Sequence, residues 1–595
     1  MHVLMYLLAA LVLYGIASRF YAEYIGRFFG INAENPTPAV KLNDGRDFVP
    51  TKTPVVFGHH FATIAGAMPI IGPTLAFVYG YIPVWVWLVF GAIFIGAVHD
   101  FSVLFASVRE DGRSVSEIAR KAMGNTGFTL FIMFTIIMIL LVTSLFLKAT
   151  AVSLTSVWPI EKLGLAPDQT LLKTEVDRDG VVLGRVGGIA STSVIIITAM
   201  SPLLGYLLYK RNVKVRYVFL MATAVCVVSV LVGFKIPISF KPETWMIILA
   251  VYVTFAAGIP VWIILQPRDF TNVQLLYGGL GVLIAGLFVG GLSGNLSLAA
   301  PGWNPQVGEE KIGLIWPMLC ITVACGAISG FHALAAGGTT SKQVSSERAT
   351  KSIGYNAMLL ESVLAVGVVL TLASSLKYTD YMEIVWPTAA GAKANPILAF
   401  SLSVGHLLNS AFRVPPIVGT IFGILMVEGF VVTTLDSAVR INRYLFEELW
   451  SIIFKNPPAV MRSYWFNSGL AAVLMLVMAY YNAFVTNALV FGSANQLLAA
   501  LTLFSVAVWF IGRRKVAWMV ILPAIFMMIT TIASLLLLPE LLIEKKAYML
   551  VVMDFALLGL SLGVIYVAAT TFRRKWREMK RVDFAKAPEL VETKR

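Results

Sequence analysis

A chain of 595 residues that is 58% hydrophobic and only 13% charged, with a mean hydropathy of +0.81, cannot hide its apolar surface in a water-soluble fold. The composition predicts a polytopic membrane protein, and the net charge of +14 fits Lys and Arg in short cytoplasmic loops better than nucleic-acid binding. The three cysteines (Cys226, Cys320, Cys325) all lie in apolar stretches and form no disulfide framework or zinc-ribbon spacing.

Apolar runs of spanning length fall at 3–24, 54–79, 84–108, 126–152, 189–209, 215–233, 244–264, 272–292, 313–337, 352–375, 415–436, 465–481, 486–510, 517–538 and 548–572. The expected fold is therefore all-α, with about 15 transmembrane helices. The first run lacks a basic start and a cleavage site and reads as a retained helix. Loops rich in Lys and Arg, such as 109–121, 342–351 and 440–462, are expected in the cytoplasm. The acid-leaning loop 153–188 is expected outside, with a hairpin turn at 177–180. The alternation holds if 395–412 does not cross, which puts the N-terminus outside and the C-terminus in the cytoplasm.

The run 54–79 is unlike an anchor. It carries His59, His60, Thr63, Gly66, Pro69 and Pro73, and the prolines predict a break between about Gly66 and Pro73. Broken backbone at membrane depth survives only inside protein or against a watery cavity, and transporters build substrate sites from it. His59, Thr63 and Gly66 share one helical face, which is expected to line a cavity. A second lead helix, 244–264, enters from the opposite side and carries its own break signal at Gly258–Pro260, so two inverted halves of five helices are expected. The division reads as 1–53, an N-terminal helix and linker; 54–243 and 244–436, the two repeats; 437–572, additional helices; and 573–595, a basic tail.

Charges inside apolar helices mark candidate function. Cys325, Ser329 and His332 share a face of the run 313–337, and Thr339, Thr340 and Ser341 close it as a possible cation site. The pairs His99–Asp100 and Arg268–Asp269 are candidate gates, Lys148 a candidate carboxylate partner, and Glu428 with Asp436 candidate proton carriers. Asn495 and Gln496 are expected to bond between helices. No nucleotide-binding, zinc-protease or nucleophile-elbow motif is present, so no enzyme, metal centre or cofactor is expected.

Several of these stretches resemble the carbon-starvation protein A (CstA) family of bacterial inner-membrane transporters: F-G-H-H-F-A-T-I-A-G-A-M-P-I-I-G-P-T-L-A (57–76), H-D-F (99–101), P-V-W-I-I-L-Q-P-R-D-F (260–270), C-G-A-I-S-G-F-H-A-L-A-A-G-G-T-T-S-K-Q (325–343), T-T-L-D-S-A-V-R (433–440) and F-G-S-A-N-Q-L-L-A-A (491–500). The resemblance implies a LeuT-like core of the amino acid–polyamine–organocation superfamily. It implies uptake of peptides under carbon limitation, with relatives that carry pyruvate with protons. The expected protein is a secondary active importer of short peptides, with a pyruvate:proton symporter as the alternative. The coupling ion is expected to be H+ rather than Na+, and the partners are a small solute and the lipid bilayer, not nucleic acid. A nutrient sensor would need a cytoplasmic output domain, and every cytoplasmic loop is short.

Overall fold

The computed structural model describes residues 2–586 apart from 45–47, 167, 170, 171, 178, 179, 212, 261, 262 and 389–392. Among the described residues, twelve helices are long and apolar enough to cross a membrane, and one bent pair adds a thirteenth. Helix α1 (Val3–Phe29) packs into the body: Tyr14 bonds Ser362 at 2.7 Å, and Trp85 Nε1 donates to the Tyr6 carbonyl. The bent pair follows as α2 (Thr53–Ile64) and α3 (Met68–Tyr79). Next come α4 (Tyr81–Arg109), α5 (Gly124–Ser153), α6 (Gly187–Leu208) and α7 (Val215–Lys235).

The bend of 47° falls at 65–67, the early edge of the expected interval. Pro69 does not break a running helix. It sits in the first turn of α3, where a missing N–H costs nothing. Ala65 leaves helical geometry (φ −73°, ψ 66°), and Gly66 N–H bonds back to Ile64.

Two expected spans differ. The run 244–264 ends early as α8 (Pro242–Gly258), and Ile259 is extended. Gly258–Pro260 is thus a boundary between helices rather than a break within one, and α9 (Leu265–Leu292) starts afterwards. Arg440 donates to the carbonyls of Ala256 and Ile259, and Arg443 to that of Ala257, so two guanidinium groups satisfy the orphan end of α8. The run 313–337, expected as one helix, is three: α10 (Ile315–Thr322), α11 (Ala324–Ala327) and α12 (Phe331–Gly338), with Ile328 extended. This second interrupted segment, and not 244–264, lies against α3: a Cβ on Gly72 would stand 2.6 Å from the Thr322 carbonyl oxygen. A Cβ on Gly96 of α4 would collide with the Ala327 carbonyl, so glycine is needed at that crossing too.

The remaining helices are α13 (Lys351–Ser375), α14 (Pro396–Phe412), α15 (Pro416–Ile453), α16 (Tyr464–Tyr481), α17 (Phe484–Gly512), α18 (Trp518–Glu544) and α19 (Tyr548–Arg574). α17 and α13 are the most enclosed, with 94% and 89% of their most apolar windows buried, whereas α7, at 22%, is peripheral. A three-stranded antiparallel sheet follows α5: β1 (Val157–Pro159), β2 (Thr174–Val176) and β3 (Val182–Arg185), in the order β1-β3-β2. Strands β2 and β3 form the expected hairpin, with Glu175 opposite Leu183. Residues 178 and 179 of its turn, and 587–595 of the basic tail, lie outside the described residues.

At the other end of the molecule the chain entering α2 runs beside the chain leaving α12. Val49 and Thr51 N–H bond the carbonyls of Lys342 and Gln343, and Thr51 bridges Val344 in parallel.

Candidate functional site

The two interruptions meet at the centre of the protein. Asn495 of α17 holds the second one open. Its Oδ1 accepts the Phe331 N–H at 3.0 Å, its own carbonyl accepts Gly330 N–H at 3.1 Å, and its Nδ2 lies 3.1 Å from Ser329 Oγ. Gln496 donates to the Cys320 carbonyl on the other side of the break. Backbone groups freed by the interruption are thereby paired inside protein. At the N-terminus of α12, Asn495 thus takes up the N–H groups of Gly330 and Phe331.

A cavity of about 540 Å³ lies between α2, α9 and α15. His59 and Thr63 line it, with Asp269, Asn272, Thr433 and Thr434 facing them. Thr63 Oγ1 donates to the His59 carbonyl at 2.8 Å. Thr63, Thr434 and Phe331 also bound a small adjoining void that touches Gly66, Met68 and Pro69, so the cavity reaches the first break. Gly258 and Pro260 are elsewhere: Gly258 packs under the Trp465 ring, and Pro260 belongs to the loop before α9. Sequence reading passed over Asn272, Thr433 and Thr434, whose signal was amide and hydroxyl groups inside apolar helices.

Behind the cavity wall, fully buried titratable groups form a chain. His99 Nδ1 is 2.7 Å from Asp100 Oδ1, and His332 Nδ1 is 2.8 Å from Asp100 Oδ2. On its far side His332 Nε2 lies 3.1 Å from Glu361 Oε2 of α13. The two nitrogens facing Asp100 act as donors, while His332 Nε2 and the Glu361 carboxyl are close enough for an ion pair but do not meet in hydrogen-bond geometry. His60, also buried, bonds Thr340 at 2.9 Å through Nδ1. Two carboxylates among these imidazoles suit the interior only when protons balance the charge. His99 and Asp100 are thus part of a larger cluster joined through His332.

The pair Arg268–Asp269 is not a pair. Arg268 Nη1 bonds the Tyr252 hydroxyl at 2.8 Å and Asp436 Oδ2 at 3.2 Å, while Tyr252 donates to Asp436 at 2.8 Å. Asp269 points into the cavity instead, and its Oδ1 is buried without a hydrogen bond. Lys148 donates to the Asn482 carbonyl, closing the end of α16 rather than facing the cavity. Thr339 and Ser341 bond carbonyls of their own helix, Ala335 and Gly337. Thr340 Oγ1 is bonded to His60 Nδ1 at 2.9 Å. Glu428 is fully buried on α15, away from the cavity lining.

Outside the spans, Glu110 accepts from Trp509 and Arg513 and pairs with Lys121. Its burial works against the charged form, but those donors outweigh it and hold the carboxyl below its ordinary range.

Many apolar spans, two interrupted helices and a polar cavity that reaches both interruptions define a multi-pass membrane transporter. The family model described as "Carbon starvation protein CstA" matches residues 2–393 and 383–534. The chain belongs to the CstA family. It is 29% identical to the peptide transporter CstA of Bacillus subtilis, over 96% of this chain and 96% of that one. It is 30% identical to the Helicobacter pylori peptide transporter CstA, and 29% identical to the pyruvate/proton symporter BtsT of Escherichia coli. Each of those two alignments covers 88% of this chain and 80% of the relative. Among solved structures, the chain aligns with MhsT in complex with L-phenylalanine at 12% identity and a TM-score of 0.43, covering 86% of this chain and 98% of that one. It aligns with an Eremococcus coleocola manganese transporter mutant at 10% identity and a TM-score of 0.46, covering 92% and 99%.

Proposed function

We propose that this transporter imports short peptides across the bacterial inner membrane, driven by protons. The single observation that carries the peptide reading is Asp269, a carboxylate with an unengaged oxygen in a 540 Å³ cavity. A carboxyl oxygen there can accept a hydrogen bond from a free ammonium group, which peptides have and pyruvate lacks. The opposite end of the substrate would meet the N-terminus of α3 across Gly66 and Met68, where the helix dipole favours a carboxylate. A cavity within the usual 300–1,000 Å³ of small-molecule sites leaves room for side chains. The coupling proton is assigned to the His99–Asp100–His332–Glu361 chain, one residue from the cavity-lining Phe331.

The loop charges favour an external N-terminus and a cytoplasmic C-terminus. The cavity would then face the cytoplasm, and α2–α3 with α10–α12 would form the moving pair.

The test is uptake of labelled dipeptides, tripeptides and pyruvate into proteoliposomes under an imposed pH gradient. Peptide uptake accelerated by the gradient and lost in Asp269→Asn is the expected result. Gradient-driven pyruvate uptake that survives Asp269→Asn would favour the symporter reading, which the likeness to BtsT supports.

A further inference from the structure

A second cavity, of about 870 Å³, lies against the three-stranded sheet and shares no lining residue with the first. Residues 155–159 line it without a gap. Side chains of a strand alternate between faces, so such an unbroken run meets the cavity with its backbone edge. Strand β1 has a free edge, because the sheet order is β1-β3-β2. Its bonds to β3 alternate along the chain. The Ser156 carbonyl accepts Gly187 N–H at 3.0 Å, and Ile160 N–H donates to the Val182 carbonyl at 3.1 Å, so residues 156, 158 and 160 turn toward β3. Val157 and Pro159 turn the other way. Arg185, opposite Val157, gives its N–H to Lys173 instead. Among the described residues, no group takes up the N–H or the carbonyl of Val157.

This edge is fixed in place on both flanks. Asn395 Nδ2 donates to Ser156 Oγ at 2.7 Å. Lys162, just past β1, bonds Asp380 at 2.7 Å and Glu383 at 3.1 Å and stands 4.8 Å over the Trp158 ring. β1 is thereby tied to the short helix Tyr378–Val385, whose Met382 and Glu383, with Trp386 beyond them, continue the cavity wall. A free strand edge is a template for another extended chain. Lys311, Lys393 and Glu383 bring charges of both signs to the same wall, which suits a zwitterion. We infer that this vestibule captures the substrate peptide as a fourth strand along β1, an inference that rests on the peptide reading above. In an antiparallel register Val157 exchanges two hydrogen bonds with one peptide residue, and the Pro159 carbonyl accepts a third from the residue two positions earlier. The full set spans three residues. Pyruvate, which has no N–H, makes only one of the three.

The test is equilibrium binding of labelled tri-alanine to the purified full-length Asp269→Asn variant in detergent, in which the peptide reading silences the inner cavity. Saturable binding should remain. Tri-alanine N-methylated at its second peptide bond lacks the N–H aimed at the Val157 carbonyl and should bind about fivefold more weakly, the loss of one hydrogen bond; di-alanine, which cannot reach Pro159, should do likewise. Val157→Pro removes the outward N–H and should weaken tri-alanine binding by the same factor. Pro159 already occupies the same register, so the ladder to β3 is untouched. If gel filtration shows that Val157→Pro does not fold, the methylated peptide decides. If Asp269→Asn does not fold, Val157→Pro in proteoliposomes decides, with the KM for tri-alanine uptake expected to rise about fivefold. Loss of all binding in folded Asp269→Asn, equal affinity for the methylated and parent peptides, or an unchanged affinity and KM in folded Val157→Pro would overturn the vestibule site while wild-type peptide uptake still upheld the peptide reading. A wild type that neither binds nor imports tri-alanine would overturn both.

Discussion

Asp100 shows how much one side chain organises here. It receives His99 and His332 on its two oxygens, at 2.7 and 2.8 Å. Asp100→Asn keeps the shape but removes the anion between the imidazoles. Gradient-driven uptake should fall about tenfold or more, while substrate binding at equilibrium stays within about threefold. Counterflow without a gradient separates the two readouts. Glu110 gives a prediction with a defined sign. A carboxyl held below its ordinary value of 4.5 contributes stability that is fully present above that value and is lost as pH falls through the lower, folded value. The difference in melting temperature between wild type and Glu110→Gln should be constant from neutral pH down to about 5 and should vanish in stronger acid. Neighbouring residues also explain what the sequence could not disclose. Arg268 and Asp269 look like an ion pair on paper. On a helix, consecutive side chains point about 100° apart, so one reaches Asp436 and the other the cavity. His332 and Glu361 were visible as polar residues in apolar runs, but that they meet depends on packing between segments far apart in sequence.

At the scale of elements, the first interruption was legible because proline and glycine act locally. Its exact place moved to 65–67 because Pro69 is tolerated in the first turn of a helix. The second interruption was not legible at 313–337, where no proline stands at the break. It is imposed by Asn495, an amide on another helix that substitutes for the missing helical bonds. Its bonding role between helices was readable; the partner was not. Close helix approach yields a paired prediction. Gly72→Ala would bring a Cβ to 2.6 Å from the Thr322 carbonyl and should destabilise by about 1–3 kcal/mol. Gly281→Ala on α9, with nothing within 4 Å, should instead be neutral or stabilise by up to about 1 kcal/mol. Thermal melting in detergent reads both.

For the whole molecule, the backbone bonds between 49–51 and 342–343 tie the ends of the two interrupted segments together. If alternating access moves them as one body, a disulfide between Thr51→Cys and Val344→Cys should leave uptake within about twofold of the reduced protein. Strong, reducible inhibition would mean instead that the two segments separate during the cycle. The membrane class, the first break and the carboxylates within spans followed from composition and spacing. The way distant helices share the burden of the second break did not.

That sharing reaches past residues 54–436, where the sequence places the two five-helix repeats. Asn495 belongs to α17, late in the chain, yet the backbone it braces lies some 165 residues upstream, between Ser329 and Phe331. A shortened version ending before α17 would leave the amides of Gly330 and Phe331 without their partners, beside the cavity that Phe331 lines. α17 is therefore scaffolding for the second interruption, and removing it would unpair that backbone.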